Sequence, residues 1–179
     1  TAAKSTLVAA GGNLTINANL GSLTANQAEI ASSAAMNIKA GNTNLNQAKL
    51  SAGSSLDLST AALAADQANI NAGSNIAISS AAIKAQEVKI ASNGSLTVNA
   101  QELKATGGQL SAIQDLKITT SGSTDLSQGS LISDANLQVQ SQGITVDQGK
   151  VSAKRINLNA GTAQLSTKNG DILATDATG

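Results

Sequence analysis

The chain has no phenylalanine, tyrosine, tryptophan, proline, cysteine or histidine among its 179 residues, and a single methionine. Without cysteine a disulfide scaffold is excluded, and without cysteine or histidine so are zinc sites, thiolate sites and every Ser-His or Cys-His nucleophile arrangement. Ordinary cores draw much of their buried area from aromatic rings, so a core here has to be filled by Leu, Ile, Val and Ala. Charged residues make up 12% of the chain, against roughly 25% in an average globular domain. Eleven basic and eleven acidic side chains cancel. With no basic stripe for a phosphate backbone and no ring on which a base could stack, nucleic-acid binding is not expected. No apolar run approaches the ~18 residues that a membrane-spanning helix needs, so the chain is not expected to span a bilayer. A Walker-type phosphate loop is absent too, because Gly11-Gly12 lacks a following Gly-Lys-Ser context.

What remains is rich in Ser, Thr, Asn, Gln and Ala, with 16 glycines and 41% hydrophobic residues. Polar, weakly charged composition alone would suit a disordered linker. The hydrophobic residues, however, recur in register, which a disordered segment has no need to do. An aliphatic-x-aliphatic triplet returns as Leu14-Thr15-Ile16, Met36-Asn37-Ile38, Leu56-Asp57-Leu58, Ile76-Ala77-Ile78, Leu96-Thr97-Val98, Leu116-Lys117-Ile118, Leu137-Gln138-Val139 and Ile156-Asn157-Leu158. Successive first residues lie 22, 20, 20, 20, 20, 21 and 19 positions apart. A fixed period of this size marks a stack of similar units, each burying its apolar face against the next.

A spacing of two within the triplet is strand periodicity; on a helix, residues two apart point about 200° from each other and cannot share a core. After Leu56 and Leu58 come Leu63 and Ile70; the same places hold Ile83 and Ile90, then Leu103 and Leu110. In the repeat that follows Ile118, Leu126 and Leu131 are expected to fill these two places. Odd spacings between the anchors reverse the facing within a straight strand, so the chain has to bend between them. Three short strands separated by bends, repeated every twenty residues, describe one coil of a β-solenoid. Coils stacked at ~4.8 Å would make about nine windings and a rod of roughly 40 Å. Residues 1–179 are expected to form a single solenoid domain.

Two corners are legible. Small Gly- or Asn-rich segments precede many triplets: Gly11-Gly12-Asn13, Ala52-Gly53-Ser54-Ser55, Ala72-Gly73-Ser74-Asn75 and Ser92-Asn93-Gly94-Ser95. Such residues tolerate positive φ or hydrogen-bond their own backbone. A second corner reads Asn26-Gln27-Ala28, Asn46-Gln47-Ala48, Asp66-Gln67-Ala68, then Ser127-Gln128-Gly129 and Asp147-Gln148-Gly149. Positions 26, 46, 66, 86, 106, 127 and 147 fall on one column if the coils stack. Polar side chains bonding the corner backbone and each other account for such a column without a ligand, as amides do in cross-β stacks.

Carboxylates are the only candidate acid–base groups. Asp66 and Asp147 share a column but stand about four coils, roughly 19 Å, apart. A glycosidase pair needs about 5–10 Å. Glu29 stacks on Lys49, and Lys84 on Lys104, with Glu102 on the same strand as Lys104; these read as solvated surface charges. The expectation is therefore no enzyme and no catalytic, cofactor-binding or metal-ligating residue. The outward triplet positions, from Thr15 and Asn37 to Gln138 and Asn157, are mixed and polar, not the regular threonine columns of an ice-binding face.

Repeats such as Ala52-Gly53-Ser54-Ser55-Leu56-Asp57-Leu58, Ala72-Gly73-Ser74-Asn75-Ile76-Ala77-Ile78 and Asp66-Gln67-Ala68-Asn69-Ile70-Asn71-Ala72-Gly73 resemble those of filamentous-haemagglutinin-like exoproteins. These are the secreted partners of bacterial two-partner secretion systems, including the stick-like effectors of contact-dependent growth inhibition. The resemblance covers nearly the whole chain. It implies a right-handed parallel β-helix, exported through an outer-membrane barrel transporter to a secreted or cell-surface location. It further implies a stalk for adhesion or for display of effector and receptor-binding regions, with a target-cell receptor or glycan as a further partner. The alternative is a receptor- or carbohydrate-binding β-helix module of the same kind of protein. The secretion domain of such proteins carries Asn-Pro motifs, which a proline-free chain does not resemble. Starting at Thr1 and stopping within the pattern at Gly179, the chain is expected to be a segment of a longer protein.

Overall fold

The computed structural model describes residues 5–176. Every pairing between strands is parallel, and no helix occurs among the described residues. Two sheets run the length of the stack. The first has nine four-residue strands, from Thr6–Ala9 through Lys49–Ala52 and Lys89–Ser92 to Asp171–Ala174. The second has twelve and includes the triplets. The result is a parallel β-solenoid of coils about twenty residues long, as Ile30↔Leu50, Leu56↔Ile76 and Ile78↔Val98 illustrate.

One coil is enough to describe the rest. Lys49–Ala52 forms the first arm, and Gly53 to Ser55 turn the first corner. Leu56–Ala64 follows as one nine-residue strand, and the turn from Ala65 to Ala68 leads into the next coil. Here the structure departs from three separate strands. In the coils from Met36 to Lys104 the second and third arms are one bent strand. They separate only later, into Leu116–Thr120 and Ser123–Asp125.

The alternation of burial along Leu56–Ala64 is the sequence pattern made physical: Leu56, Leu58, Thr60 and Leu63 face in, while Asp57, Ser59 and Ala61 face out. Met36, Leu56, Ile76, Leu96, Leu116 and Leu137 form one inward column, all at most 1% exposed. Ile38, Leu58, Ile78, Val98, Ile118 and Val139 form the next. A third runs from Ile30 through Leu50, Ile70, Ile90, Leu110 and Leu131 to Val151. A buried Leu or Ile stabilises by ~1.5–3 kcal/mol, so the shaft is held by aliphatic burial combined with a continuous backbone ladder.

Departures from a twenty-residue period are confined to corners. Leu14↔Met36 but Ser22↔Asn42 leaves two extra residues in the turn around Ala18–Gly21, closed by the Gly21 N–H to the Ala18 carbonyl at 2.6 Å. One extra residue lies between Thr120 and Thr124, where the glycine is Gly122. One fewer is used beside Lys154, where the Lys154 and Arg155 N–H groups both point at the Ala135 carbonyl at 3.0 and 3.3 Å.

The expected place of Leu126 is corrected. Leu103 pairs with Thr124, so Thr124 takes the third-arm core position and Leu126 follows where the preceding coil has Ala105. The same exchange occurs earlier, with Thr43 in register with Leu63 and Leu45 one place beyond, at the Ala65 position. A larger residue at one core position and a smaller one beside it conserve volume, the kind of swap cores tolerate best. The buried threonine hydroxyls are satisfied inside, Thr43 Oγ1 donating to Thr60 Oγ1 at 3.1 Å and Thr124 pairing with Thr120 at 2.8 Å.

Candidate functional site

The polar corners carry most of the organised side-chain chemistry. The turn from Ala65 to Ala68 is closed by the Ala68 N–H to the Ala65 carbonyl at 3.2 Å, and its third residue, Gln67, has φ 57°. The pattern is that of a type II turn, where glycine or asparagine is usual. Here Gln27, Gln47, Gln67, Glu87, Gln128 and Gln148 hold positive φ, and Gly107 fills the same place in its coil at φ 69°. The strain of a left-handed non-glycine residue has a counterpart in a ladder of amides. Gln27 Nε2 donates to Gln47 Oε1 at 2.8 Å, Gln47 to Gln67 at 3.0 Å, Gln67 to Glu87 at 3.0 Å, and Gln128 to Gln148 at 3.4 Å.

Before Gln47, Gln67 and Gln148 the preceding residue works on the backbone instead. Asn46 Oδ1 accepts the Asp66 N–H at 2.8 Å, and Asp66 Oδ1 accepts the Gln86 N–H at 2.8 Å. Asp147 Oδ1 accepts the Lys168 N–H at 2.9 Å and the Ser166 hydroxyl at 2.6 Å. The Ser166 hydroxyl and then the Lys168 N–H lower the Asp147 pKa below the ordinary carboxylate value; desolvation opposes them in part, and the nearby Lys168 charge adds the smallest lowering effect. Elsewhere in this column Ser127 donates its hydroxyl to Asp125 Oδ1 at 2.7 Å, and Asn26 caps nothing. Its Oδ1 is buried without a partner because the donor it would take, the Asn46 N–H, turns to Asn44 Oδ1 at 3.2 Å.

The first corner repeats the device with different residues. Asn13 Oδ1 accepts the Ala35 N–H, Asn75 Oδ1 the Ser95 N–H, and Asp115 Oδ1 the Asn136 N–H, at 3.1, 2.9 and 3.2 Å. Inside this corner Ser32, Ser92 and Ser133 donate to carbonyls of their own coil and the one before. These serine hydroxyls serve the backbone, and among the described residues none is hydrogen-bonded to a lysine.

Asp66 and Asp147 thus share one column, four coils apart, and each caps the next coil. Glu29 and Lys49 form an exposed ion pair at 2.9 Å. Lys84 and Lys104 are in register, as are Lys104 and Asp125, while Glu102 lies beside Ala82. Among the described residues no three Asp or Glu side chains approach closely enough to hold a metal ion. The open depressions are shallow; a groove of about 370 Å³ over the third arm is lined by small side chains such as Ser22, Asn42, Ala62 and Ala82. Sequence reasoning located the polar column at position 26 and its equivalents but missed the inverted φ of the glutamines. The one available signal was Gln or Glu recurring immediately after it.

A coiled stack of parallel strands, with polar side chains spent on its own backbone, defines a structural repeat domain of the β-solenoid class. The haemagglutinin repeat matches the chain three times, over residues 9–80, 67–128 and 115–179, and the chain belongs to that family. Comparisons with curated proteins and with solved structures return no match.

Proposed function

We propose that residues 1–179 are one solenoid domain serving as a rigid stalk segment of a large bacterial exoprotein, secreted or held at the cell surface. The observation that carries this reading is the core. One uninterrupted cluster of buried side chains runs from Ile30 to Ala153, with side-chain polarity directed into corner ladders and no cluster of three acidic side chains among the described residues. Such a shaft resists bending because each coil is bonded to both neighbours along its whole length, and its loops add length without altering its section. An outer-membrane barrel transporter and a target-cell surface are the partners this role calls for. Membership of the haemagglutinin repeat family supports the adhesin-type setting, and catalysis is no part of the role. Small-angle scattering should give an elongated particle. In a competition assay the isolated chain should leave binding of the parent exoprotein to target cells unchanged. Saturable competition by the chain alone would overturn the stalk in favour of a receptor-recognition module.

A further inference from the structure

The amide ladder of the second corner runs in one direction. Gln27, Gln47 and Gln67 each donate through Nε2 to a side-chain oxygen one coil on, and Gln128 does the same to Gln148. The first run stops at Glu87, whose Oε2 accepts from Gln67 at 3.0 Å and whose carboxylate has no N–H to pass on. The next place in the column is Gly107, which keeps the turn at φ 69° but has no side chain. The Glu87 N–H joins the Thr106 carbonyl, the Gly107 N–H that of Ser127 and the Gln128 N–H that of Asp147, so the three residues are consecutive in the column.

Gly107 therefore leaves a gap one side chain wide, with acceptors on either side. A Cβ there would meet nothing closer than Glu87 Cγ, at 3.4 Å. Neither Glu87 Oε1 nor Gln128 Oε1 has a hydrogen-bond partner among the described residues. The gap opens on a groove of about 520 Å³ that Asn69, Lys89 and Gln109 also line. Among the described residues Lys89 forms no ion pair.

The width of the gap selects the donor. Glu87 and Gln128 stand two coils, ~9.6 Å, apart along the stack. A carboxylate or amide spans ~2.2 Å between its polar atoms, so the facing oxygens of an aligned ladder lie ~7 Å apart. One ammonium nitrogen bridges only ~5.6 Å with two bonds of ~2.8 Å. An amide has the right width but sets its own oxygen against one of the two acceptors. A guanidinium is planar, carries nitrogens on both edges ~2.3 Å apart, and only donates. It reaches both oxygens and sets its charge against Glu87. We propose that the gap at Gly107 is a docking site for a guanidinium group, supplied by an arginine side chain of a partner polypeptide and held between Glu87 and Gln128. The open groove along Asn69, Lys89 and Gln109 gives the polypeptide carrying that arginine a place to lie. The inference holds equally for a stalk segment and for a recognition module.

The test titrates the folded, isotope-labelled full chain with an acetylated pentapeptide whose central arginine is flanked by glycine and serine, and with its lysine counterpart. Nuclear magnetic resonance should show saturable shifts centred on the Gly107 backbone amide and the Gln128 side-chain amide for the arginine peptide. The lysine peptide should bind there at least about tenfold more weakly, because its ammonium reaches one acceptor only. Glu87→Gln removes the charge while keeping an oxygen for Gln67, and should weaken arginine binding about tenfold or more. Gly107→Gln places in the gap the side chain that Gln67 carries at φ 57° in the same turn, and should abolish binding. Should either variant unfold, the contrast between the two peptides on the unaltered chain still decides. Equal affinity for the two peptides, binding that survives Gly107→Gln in a folded chain, or shifts that do not saturate or centre elsewhere would each overturn the proposal.

Discussion

The side-chain amide of Gln47 donates to Gln67 Oε1 at 3.0 Å, and both residues sit in the left-handed region, at φ 59° and 57°. The two facts are linked. A left-handed backbone costs a non-glycine residue ~1–2 kcal/mol, yet it aims successive side chains along the stack so that amide meets amide.

Separating strain from ladder requires two substitutions at one place. Gln67→Ala keeps the unfavourable φ and loses both ladder bonds, to Gln47 and to Glu87; a loss of about 0.5–2 kcal/mol is expected, since net hydrogen-bond contributions are modest. Gln67→Gly loses the same bonds but relieves the strain, as Gly107 does in its own coil. Urea denaturation should therefore find the glycine variant more stable than the alanine variant by ~1 kcal/mol. Equal stabilities would mean that φ at this corner carries no cost.

The exchange of Thr43 and Leu45 for Leu63 and Ala65 makes a second prediction. Leu63→Thr alone removes methyl groups from a buried column and should destabilise by ~2–4 kcal/mol. Ala65→Leu alone overpacks a residue that is fully buried, at a cost of ~1–3 kcal/mol. Together they recreate the Thr43–Leu45 arrangement, with Thr60 and Ser80 close by to receive the new hydroxyl. The double variant should lose less than the two singles combined by at least ~1 kcal/mol, a coupling of the size contacting residues show. Additive losses would show that the pairs at 43/45 and 124/126 are unrelated coincidences.

How much of this was open to reading from sequence follows from which residues repeat with their chemistry intact. The columns through Leu56, Ile76 and Leu96 were legible because every coil places an aliphatic residue there, two apart from another. Leu126 misled because the pattern counts hydrophobic letters, whereas the core conserves volume over two positions and admits a threonine whose hydroxyl finds Thr120. The bend inside Leu56–Ala64 was inferred from the odd spacing, but backbone pairing continues across it, and pairing is a property of the neighbouring coil. Polar residues at the corners were visible as a column. Their division of labour, with Asn46 serving the backbone and Gln47 its own kind, depends on the φ of one turn residue, which glutamine does not announce.

Acid should loosen the last coils first. The Asp147 pKa is lowered in the folded protein by the Ser166 hydroxyl and the Lys168 N–H. A folded value below the unfolded one means that the stabilisation is fully present above the unfolded carboxylate pKa and disappears as pH falls through the lower folded value. Asp147→Asn keeps an oxygen acceptor of the kind Asn46 offers in the same column, but it cannot titrate. The protection factor of the Lys168 amide, its exchange rate relative to the intrinsic rate at the same pH, should fall on acidification in the wild type and change little in the variant. Identical acid responses in the two proteins would remove Asp147 as the cause.

The corner glycines supply the last prediction, because their role is steric and depends on the stack. A Cβ added at Gly53 would lie 2.1 Å from the Ser33 carbonyl oxygen, and one at Gly73 would lie 2.2 Å from that of Gly53. Backbone atoms of a hydrogen-bonded neighbouring coil cannot retreat without lengthening the ladder, so Gly53→Ala should cost at least ~1–3 kcal/mol, the range for overpacking. Gly11, in the corresponding corner region of the first described coil, has open space where its Cβ would be. Gly11→Ala should therefore change stability by no more than ~0.5 kcal/mol. Thermal or urea unfolding of the two variants side by side isolates coil-on-coil contact from the general preference of turns for glycine. A similar cost at both sites would show that glycine is needed at this corner for its backbone freedom and not for the closeness of the coil beneath it.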